Sequence, residues 1–240
     1  MDAPPRCRLA LTRAAAAVAA ALALLTVPLA PTAAPPAAVP AAALGKAGEV
    51  SRLSFISLRE LPPALQRSIA QALDPRDPAR TRVAEDTPGW PVDAAALKAG
   101  PTTIGRFEIT PCDLSGSGFA AMRWLGWHFD DARAGEAVVW LERHFARGDG
   151  ARVVLREWNY AYGNAAVFVL RERVNARVGT HPAVLSIDTA PSGRVRSTLT
   201  WQDATTDYRI TVLDDVDRPA DRARRFDRAW LLGLARSLGS

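Results

Sequence analysis

Alternation of apolar and polar side chains recurs along the second half of the chain and predicts a series of β-strands. The alternating segments cover residues 106–110, 124–129, 137–144, 152–158, 165–173 and 183–188. In the second of these segments, strict alternation places Trp124 and Trp127 on opposite faces of the strand.

The clearest strand pair is the last one along the chain. Val195, Leu199 and Trp201 share one face of a strand, and Tyr208 and Ile210 share one face of the next. Residues 202–205 lie between them and have the polar composition of a turn. The pattern therefore predicts an antiparallel hairpin.

A change to helical spacing marks both ends of this sheet region. After a short predicted strand at 52–58, apolar residues recur at Leu61, Leu65, Ile69 and Leu73, which predicts an amphipathic helix. Residues 74–100 are rich in proline and charge, with Val92–Lys98 suited to one helical turn, and they predict a long crossing loop.

A second helix is predicted at the C-terminal end. Its apolar stripe consists of Phe226, Trp230, Leu234 and Leu238, while Asp217 can cap its start and Pro219 suits its first turn. Together the elements predict an α+β domain with a mainly antiparallel sheet. One helix lies near the N-terminus of the domain, and the C-terminal helix covers one face of the sheet while the other faces solvent or a partner.

The first residues have the pattern of an export signal. Arg6, Arg8 and Arg13 precede an uninterrupted apolar run from Ala14 to Leu25. Retention of this run as a membrane anchor is the alternative, but its alanine content and the prolines that follow favour cleavage. We therefore predict a signal peptide at 1–30, an Ala/Pro-rich linker at 31–44 and one globular domain at 45–240.

Export changes which functions are expected. A periplasmic or secreted protein meets no pool of ATP or NAD, so no cofactor is expected, and contact with the inner membrane requires that the signal be retained. The formal net charge is +5, but the arginines are interleaved with acidic residues over 218–228. This pattern is typical of a mixed-charge surface and argues against a nucleic-acid partner.

Cysteine usage leaves the folded domain without an internal disulfide. The chain has two cysteines, of which Cys7 lies in the predicted signal, so Cys112 remains alone. A lone cysteine in an oxidising compartment is either buried or paired with another molecule, and burial is the favoured expectation.

Short motifs in the C-terminal third point to a family. The segments concerned are Tyr160 with residues 165–170 and 180–187, Leu199-Thr200-Trp201, Tyr208-Arg209-Ile210, and the end of the chain at 232–238. They resemble the extracytoplasmic C-terminal domain of bacterial anti-sigma factors and related envelope proteins. The resemblance implies a non-catalytic envelope module that senses or binds.

Candidate catalytic groups are few. Ser115 and Ser117 lie in a Gly-containing turn that only loosely matches a nucleophile elbow, and a flexible polar turn is the favoured interpretation. His128 and Asp130 share one strand face, and with Asp131 or His144 they have the ligand chemistry of a zinc or manganese site. These groups define an alternative function, a small periplasmic hydrolase, which would be metal-dependent if the candidate ligands bind an ion.

Aromatic residues offer a candidate binding surface. Trp158, Tyr160 and Tyr162 cluster around a polar segment at 159–164 that is predicted as a loop. Exposed Trp and Tyr rings beside Arg and Asn bind peptides, glycans and proteins well, although the same rings could instead wedge the loop onto the sheet. The main hypothesis is therefore a non-catalytic binding, sensing or scaffold module whose partner is another envelope protein or a peptide.

Overall fold

The computed structural model describes residues 53–74, 76–83, 97, 107–129, 137–162, 167–219 and 226–239. Within these ranges the chain is mostly strand, with two α-helices, and the fold class is α+β. The predicted signal peptide and linker lie outside the described residues. Neither of the two described α-helices is long and apolar enough to cross a membrane.

The strands and helices follow one another in an irregular order. The strands are β1 (Leu53–Ile56), β2 (Leu73–Asp74), β3 (Asp77–Arg82), β4 (Arg123–His128), β5 (Trp140–Ala146), β6 (Arg152–Asn159), β7 (Val167–Leu170), β8 (Ala176–Val178), β9 (His181–Thr189), β10 (Val195–Gln202) and β11 (Thr206–Val212). The α-helices are α1 (Pro63–Ala72) and α2 (Arg228–Arg236), and 3-10 turns cover Leu58–Glu60, Gly118–Ala121 and Arg171–Arg173.

The large sheet is mixed and not purely antiparallel. Its strand order is β2-β3-β9-β10-β11-β6-β5-β4, with β8 also paired to β9. The β3–β9 pair is parallel, while the other pairs of this sheet are antiparallel. A separate parallel pair joins β1 to β7.

The predicted final hairpin is confirmed. Leu199 lies opposite Ile210 and Trp201 opposite Tyr208 in the β10–β11 register. The rings of Trp201 and Tyr208 stack with centroids 5.2 Å apart, which adds to the stabilisation from burial alone. In the turn, the Asp203 carboxylate accepts hydrogen bonds from the amides of Thr205 and Thr206, both at 2.7 Å. This side chain holds the turn closed.

Two sequence predictions are corrected at the ends of the domain. The predicted loop at 74–100 contains strand β3. The sequence of β3 has few apolar residues, so it does not show a strand pattern, and the strand forms because it pairs with β9. The C-terminal helix begins at Arg228, with the Asp227 carboxylate capping the Trp230 amide at 3.0 Å. Asp217 does not cap it, since its carboxylate pairs with the Arg228 side chain at 2.8 Å.

The two faces of the large sheet differ in chemistry. The apolar face carries Leu155, Leu199 and Ile210, which pack in one core cluster with Leu231 and Leu234 of α2. We call the opposite side the polar face, and its central residues are Arg156, Arg209 and Thr200. Strand alternation alone assigns these residues to opposite sides.

Candidate functional site

A β-bulge in β4 determines the shape of the outer edge of the sheet. Trp124 lies opposite Phe145 and Gly126 lies opposite His144, so Leu125 is the extra residue. Gly126 has a φ of 141°, a value open to glycine because it lacks Cβ. The bulge shifts the alternation by one position, so Trp124 and Trp127 come onto the same face. The sequence prediction that they lie on opposite faces is wrong for this reason.

The bulge gathers three aromatic rings at this edge. The indole of Trp124 contacts the ring of Trp127 at a centroid distance of 5.3 Å and that of Phe145 at 5.2 Å, both edge to face. We call Trp124, Trp127 and Phe145 the aromatic edge. Trp124 remains 41% exposed, one of two large hydrophobic residues so exposed in the described part of the chain. A ring that is held by neighbours yet exposed costs little entropy when it binds.

A buried ion pair supports the aromatic edge from within. The Arg143 guanidinium lies 5.8 Å from the Trp127 ring centroid and donates to the Glu157 carboxylate at 2.6 Å. Arg143 also donates to the Cys112 carbonyl at 2.9 Å, and Glu157 accepts from the Cys112 amide at 2.7 Å. Because Glu157 is only 1% exposed, these contacts are needed to offset the loss of its hydration.

Cys112 lies beside this ion pair. The sequence favoured a buried cysteine, whereas the structure leaves it half-buried. Its sulfur accepts a hydrogen bond from Arg143 at 2.9 Å. Burial, reinforced by the nearby charge of Glu157, raises the pKa of the Cys112 thiol to about 12. The thiol is therefore protonated at neutral pH, which is the state of a structural cysteine and not of a nucleophile.

The predicted aromatic loop is divided between core and surface. Tyr160 is 0% exposed and its hydroxyl donates to the Asp203 carbonyl at 2.7 Å, so the expectation of a solvent-facing ring is wrong here. The ring centroids of Tyr160 and Trp158 are 6.2 Å apart, and Trp158 is partly buried. Tyr162 is 50% exposed. Of the three predicted binding residues, Tyr162 is therefore the one best placed to contact a partner.

The histidines of the alternative hypothesis meet one carboxylate. The Glu142 carboxylate lies 3.4 Å from Nδ1 of His128 and 3.5 Å from Nε2 of His144. Burial alone would raise the pKa of Glu142, but His144, Arg156 and His128 together lower it. Asp130 and Asp131 lie outside the described residues. Within those residues no group of three His, Cys, Asp or Glu side chains is placed to hold a metal ion.

The serine turn has a structural role in the described chain. The Ser117 hydroxyl donates to the Leu114 carbonyl at 2.8 Å and accepts from the Phe119 amide at 3.2 Å, which caps the 3-10 turn. The Ser115 hydroxyl donates to Asp113 at 2.8 Å. Among the described residues, neither hydroxyl bonds to a histidine. The third histidine of the chain, His181, begins β9.

The polar face carries a row of charged and hydroxyl side chains that pattern analysis missed. His128, Glu142, Arg156, Arg209 and Thr200 are successive cross-strand neighbours in five adjacent strands. Of these residues, the sequence singled out His128 as a candidate metal ligand and indicated no functional role for Glu142, Arg156 and Arg209. No local signal places Arg156 beside Arg209, because four strands separate β6 from β11 along the chain and the two strands meet only in the sheet.

Much of this polar face is buried. Thr198, Thr200, Gln202 and Asp207 are all buried, so this part of the sheet is not open to solvent. Burial raises the pKa of Asp207, whose carboxylate accepts from the Gln202 amide at 2.6 Å. Polar side chains enclosed on a sheet face are costly unless they are hydrogen-bonded, and the Gln202–Asp207 contact offsets part of that cost.

Comparison of the chain with family models, with curated proteins and with solved structures finds no match. The function therefore has to be inferred from the residues themselves. The feature best suited to binding is the exposed ring of Trp124 on the outer strand.

Proposed function

We propose that the protein is an exported, non-catalytic envelope protein that binds an extended segment of another envelope protein or peptide. It is periplasmic or secreted, with an N-terminal signal at 1–30 and a single domain at 45–240. The observation that carries the proposal is the exposed indole of Trp124 on strand β4.

The position of β4 favours an extended partner. It is the last strand in the sheet order, and within the described residues no strand pairs with its outer side. Backbone amides and carbonyls along such an edge accept an added strand, and neighbouring side chains then select its sequence. The aromatic edge supplies two indoles for that selection, Trp124 and Trp127.

The polar side chains first considered for catalysis support binding over hydrolysis. Ser117 caps a turn and Ser115 bonds to Asp113, and within the described residues neither hydroxyl bonds to a histidine. The resemblance to the extracytoplasmic domain of anti-sigma factors is consistent with the same role. In this proposal the C-terminal helix covers the apolar face, and Leu231 and Leu234 anchor it there.

A site-specific crosslink in intact cells tests the proposal. Benzoylphenylalanine in place of Arg123, an exposed residue of β4, is expected to form one discrete adduct on irradiation. The adduct should be lost when Trp124→Ser is introduced in the same chain. Hydrogen exchange of the complex should then show slower exchange of the β4 amides, because an added strand protects them.

Two comparisons make the result specific. Benzoylphenylalanine in place of Arg177, an exposed residue of β8, should not form that adduct. Tyr162→Ser should leave the adduct intact, because the two residues lie at opposite ends of β5. Tyr162 follows the end of β6 that pairs with the start of β5, whereas Trp124 pairs near the end of β5. If Tyr162→Ser abolished the adduct and Trp124→Ser did not, the binding surface would instead lie at the 158–162 loop. An adduct that Trp124→Ser leaves unchanged would refute the proposal.

A further inference from the structure

The strand edge proposed to bind a partner begins with a cation. Arg123, the first residue of β4, is exposed, and among the described residues its side chain forms no ion pair or hydrogen bond. It lies opposite Ala146 of β5, and Ala146 lies opposite Arg152 of β6. The two arginines therefore flank one small side chain on the same face of the sheet. We call Arg123 and Arg152 the cationic corner.

Three carboxylates in and beside β5 and β6 are engaged away from this corner. Asp149 pairs with Arg147 at 2.7 Å, and the buried Glu157 pairs with Arg143 at 2.6 Å. Glu142 lies opposite the last residue of β4, at the other end of the strand. Within the described residues, the positive charge of Arg123 is therefore left for a partner to balance.

The exposed indole lies next to this cation in the strand. Trp124 follows Arg123 directly and lies opposite Phe145, so its side chain is on the other face of the sheet. Its ring contacts that of Phe145 edge to face and is 41% exposed. A strand paired along the outer side of β4 would therefore present one side chain to Arg123 and the adjacent one to Trp124.

We propose that the segment added to β4 is acidic, with an Asp or Glu side chain against Arg123 and an adjacent apolar side chain against Trp124. This inference rests on the proposed function and specifies the chemistry of the partner. Opposite charges on neighbouring strands attract, like charges repel, and complementary charge speeds the encounter. The backbone of β4 and Trp124 supply the remaining affinity, so a crosslinker at position 123 still captures the partner at lower yield.

Charge reversal at Arg123 tests the inference with a crosslinker placed outside the contact pair. Benzoylphenylalanine replaces Ala121, an exposed residue just before β4, and the adduct formed on irradiation of intact cells is quantified. Arg123→Glu should lower the adduct yield at least about threefold, because repulsion replaces attraction. Arg123→Lys keeps the charge and should stay within about twofold of the unsubstituted chain. The control Arg177→Glu makes the same change at an exposed residue of β8 and should leave the yield unchanged.

The sequence of the crosslinked segment gives a second measurement. Proteolysis and mass spectrometry of the adduct should identify a segment with Asp or Glu next to an apolar residue, close to the attachment site. A basic or uncharged segment there, or an adduct yield that Arg123→Glu leaves unchanged, overturns the inference. If Trp124→Ser still abolishes the adduct in that case, binding at β4 stands and only the charge of the partner is wrong. An adduct that neither substitution changes refutes the proposed function as well.

Discussion

Trp124 and Trp127 touch edge to face, with ring centroids 5.3 Å apart, although strand alternation would place them on opposite sides of β4. One extra residue in the strand, accommodated by the positive φ of Gly126, brings them together. The exposed aromatic surface of the protein therefore depends on a backbone irregularity as well as on the tryptophans themselves.

Replacing Gly126 by Ala should damage this arrangement. A Cβ at a φ of 141° is strained, and we expect a loss of about 1–3 kcal/mol in the free energy of unfolding. The near-ultraviolet circular dichroism of the coupled indoles should weaken as the bulge is lost. Urea denaturation and that spectrum measure the two effects.

Gly116→Ala is the matched control for this change. Nothing lies within 4 Å of a Cβ added at Gly116, and we expect a change within about 0.5 kcal/mol. Equal stability of the Gly126→Ala and Gly116→Ala variants, with unchanged dichroism, would show that the bulge is not required for the Trp124–Trp127 contact.

The Arg143–Glu157 ion pair should be among the most sensitive features of the core. Glu157→Gln leaves the Arg143 charge buried beside a neutral amide, and we expect a loss of about 3–5 kcal/mol. Asp217→Asn breaks the partly exposed pair with Arg228 and should cost less than about 1 kcal/mol. Chemical denaturation of both variants measures the two losses in the free energy of unfolding. Similar losses would contradict the inference that burial makes the Arg143–Glu157 pair the more sensitive of the two.

Cys112 should react slowly in the folded protein. Its pKa of about 12 leaves little thiolate at pH 8, and only the thiolate attacks a disulfide reagent or iodoacetamide. In a Cys7→Ser chain, labelling should be much slower before unfolding in urea than after it. Because the folded pKa is raised, the rate should keep rising with pH above 8.5, where an exposed cysteine levels off. Rapid labelling of the folded chain at pH 8 would show that the thiol is activated.

The sequence could predict the elements whose pattern is local. The β10–β11 hairpin follows from the alternation of Leu199, Trp201, Tyr208 and Ile210 around a turn, and all four residues pair as the pattern indicates. Strand β3 could not be predicted in the same way. Its charged sequence becomes a strand because Arg80 pairs with Ile187, a contact that depends on residues far along the chain.

The candidate surfaces were harder to predict for two physical reasons. Alternation cannot register an inserted residue, so Gly126 was the only local sign of the bulge. Hydropathy also treats a polar strand position as solvent-facing, whereas Thr200 and Asp207 are buried. The error at Tyr160 is related, since its hydroxyl finds a backbone carbonyl and allows the ring to enter the core.

The Arg80–Asp215 pair should contribute stability that depends on pH. Burial alone would raise the pKa of Asp215, but the hydrogen bond and charge of Arg80, with backbone hydrogen bonds from Asp217 and Arg218, lower it below 3.8. A lowered pKa in the folded state stabilises the protein above the ordinary value, and this contribution is lost as the pH falls through the folded value.

Asp215→Asn isolates that contribution. We expect a loss of about 1–3 kcal/mol at pH 7, because two backbone amides also lose a charged acceptor. The difference between the two chains should persist to about pH 4 and shrink below the ordinary value of 3.8. Denaturation curves between about pH 2.5 and 7 span the ordinary pKa of an aspartate and test this expectation. A difference independent of pH would count against the ionic contribution.

The parallel pairings have a consequence for how the chain acquires its structure. β1 pairs with β7, and residues 80–82 of β3 pair with residues 187–189 of β9. A nascent chain that emerges from its N-terminus cannot form either pair until these later strands are present. Bringing such distant segments together carries a loop-closure cost and slows folding. We therefore expect the amides of β1 and β3 to be the last to become protected from hydrogen exchange during folding.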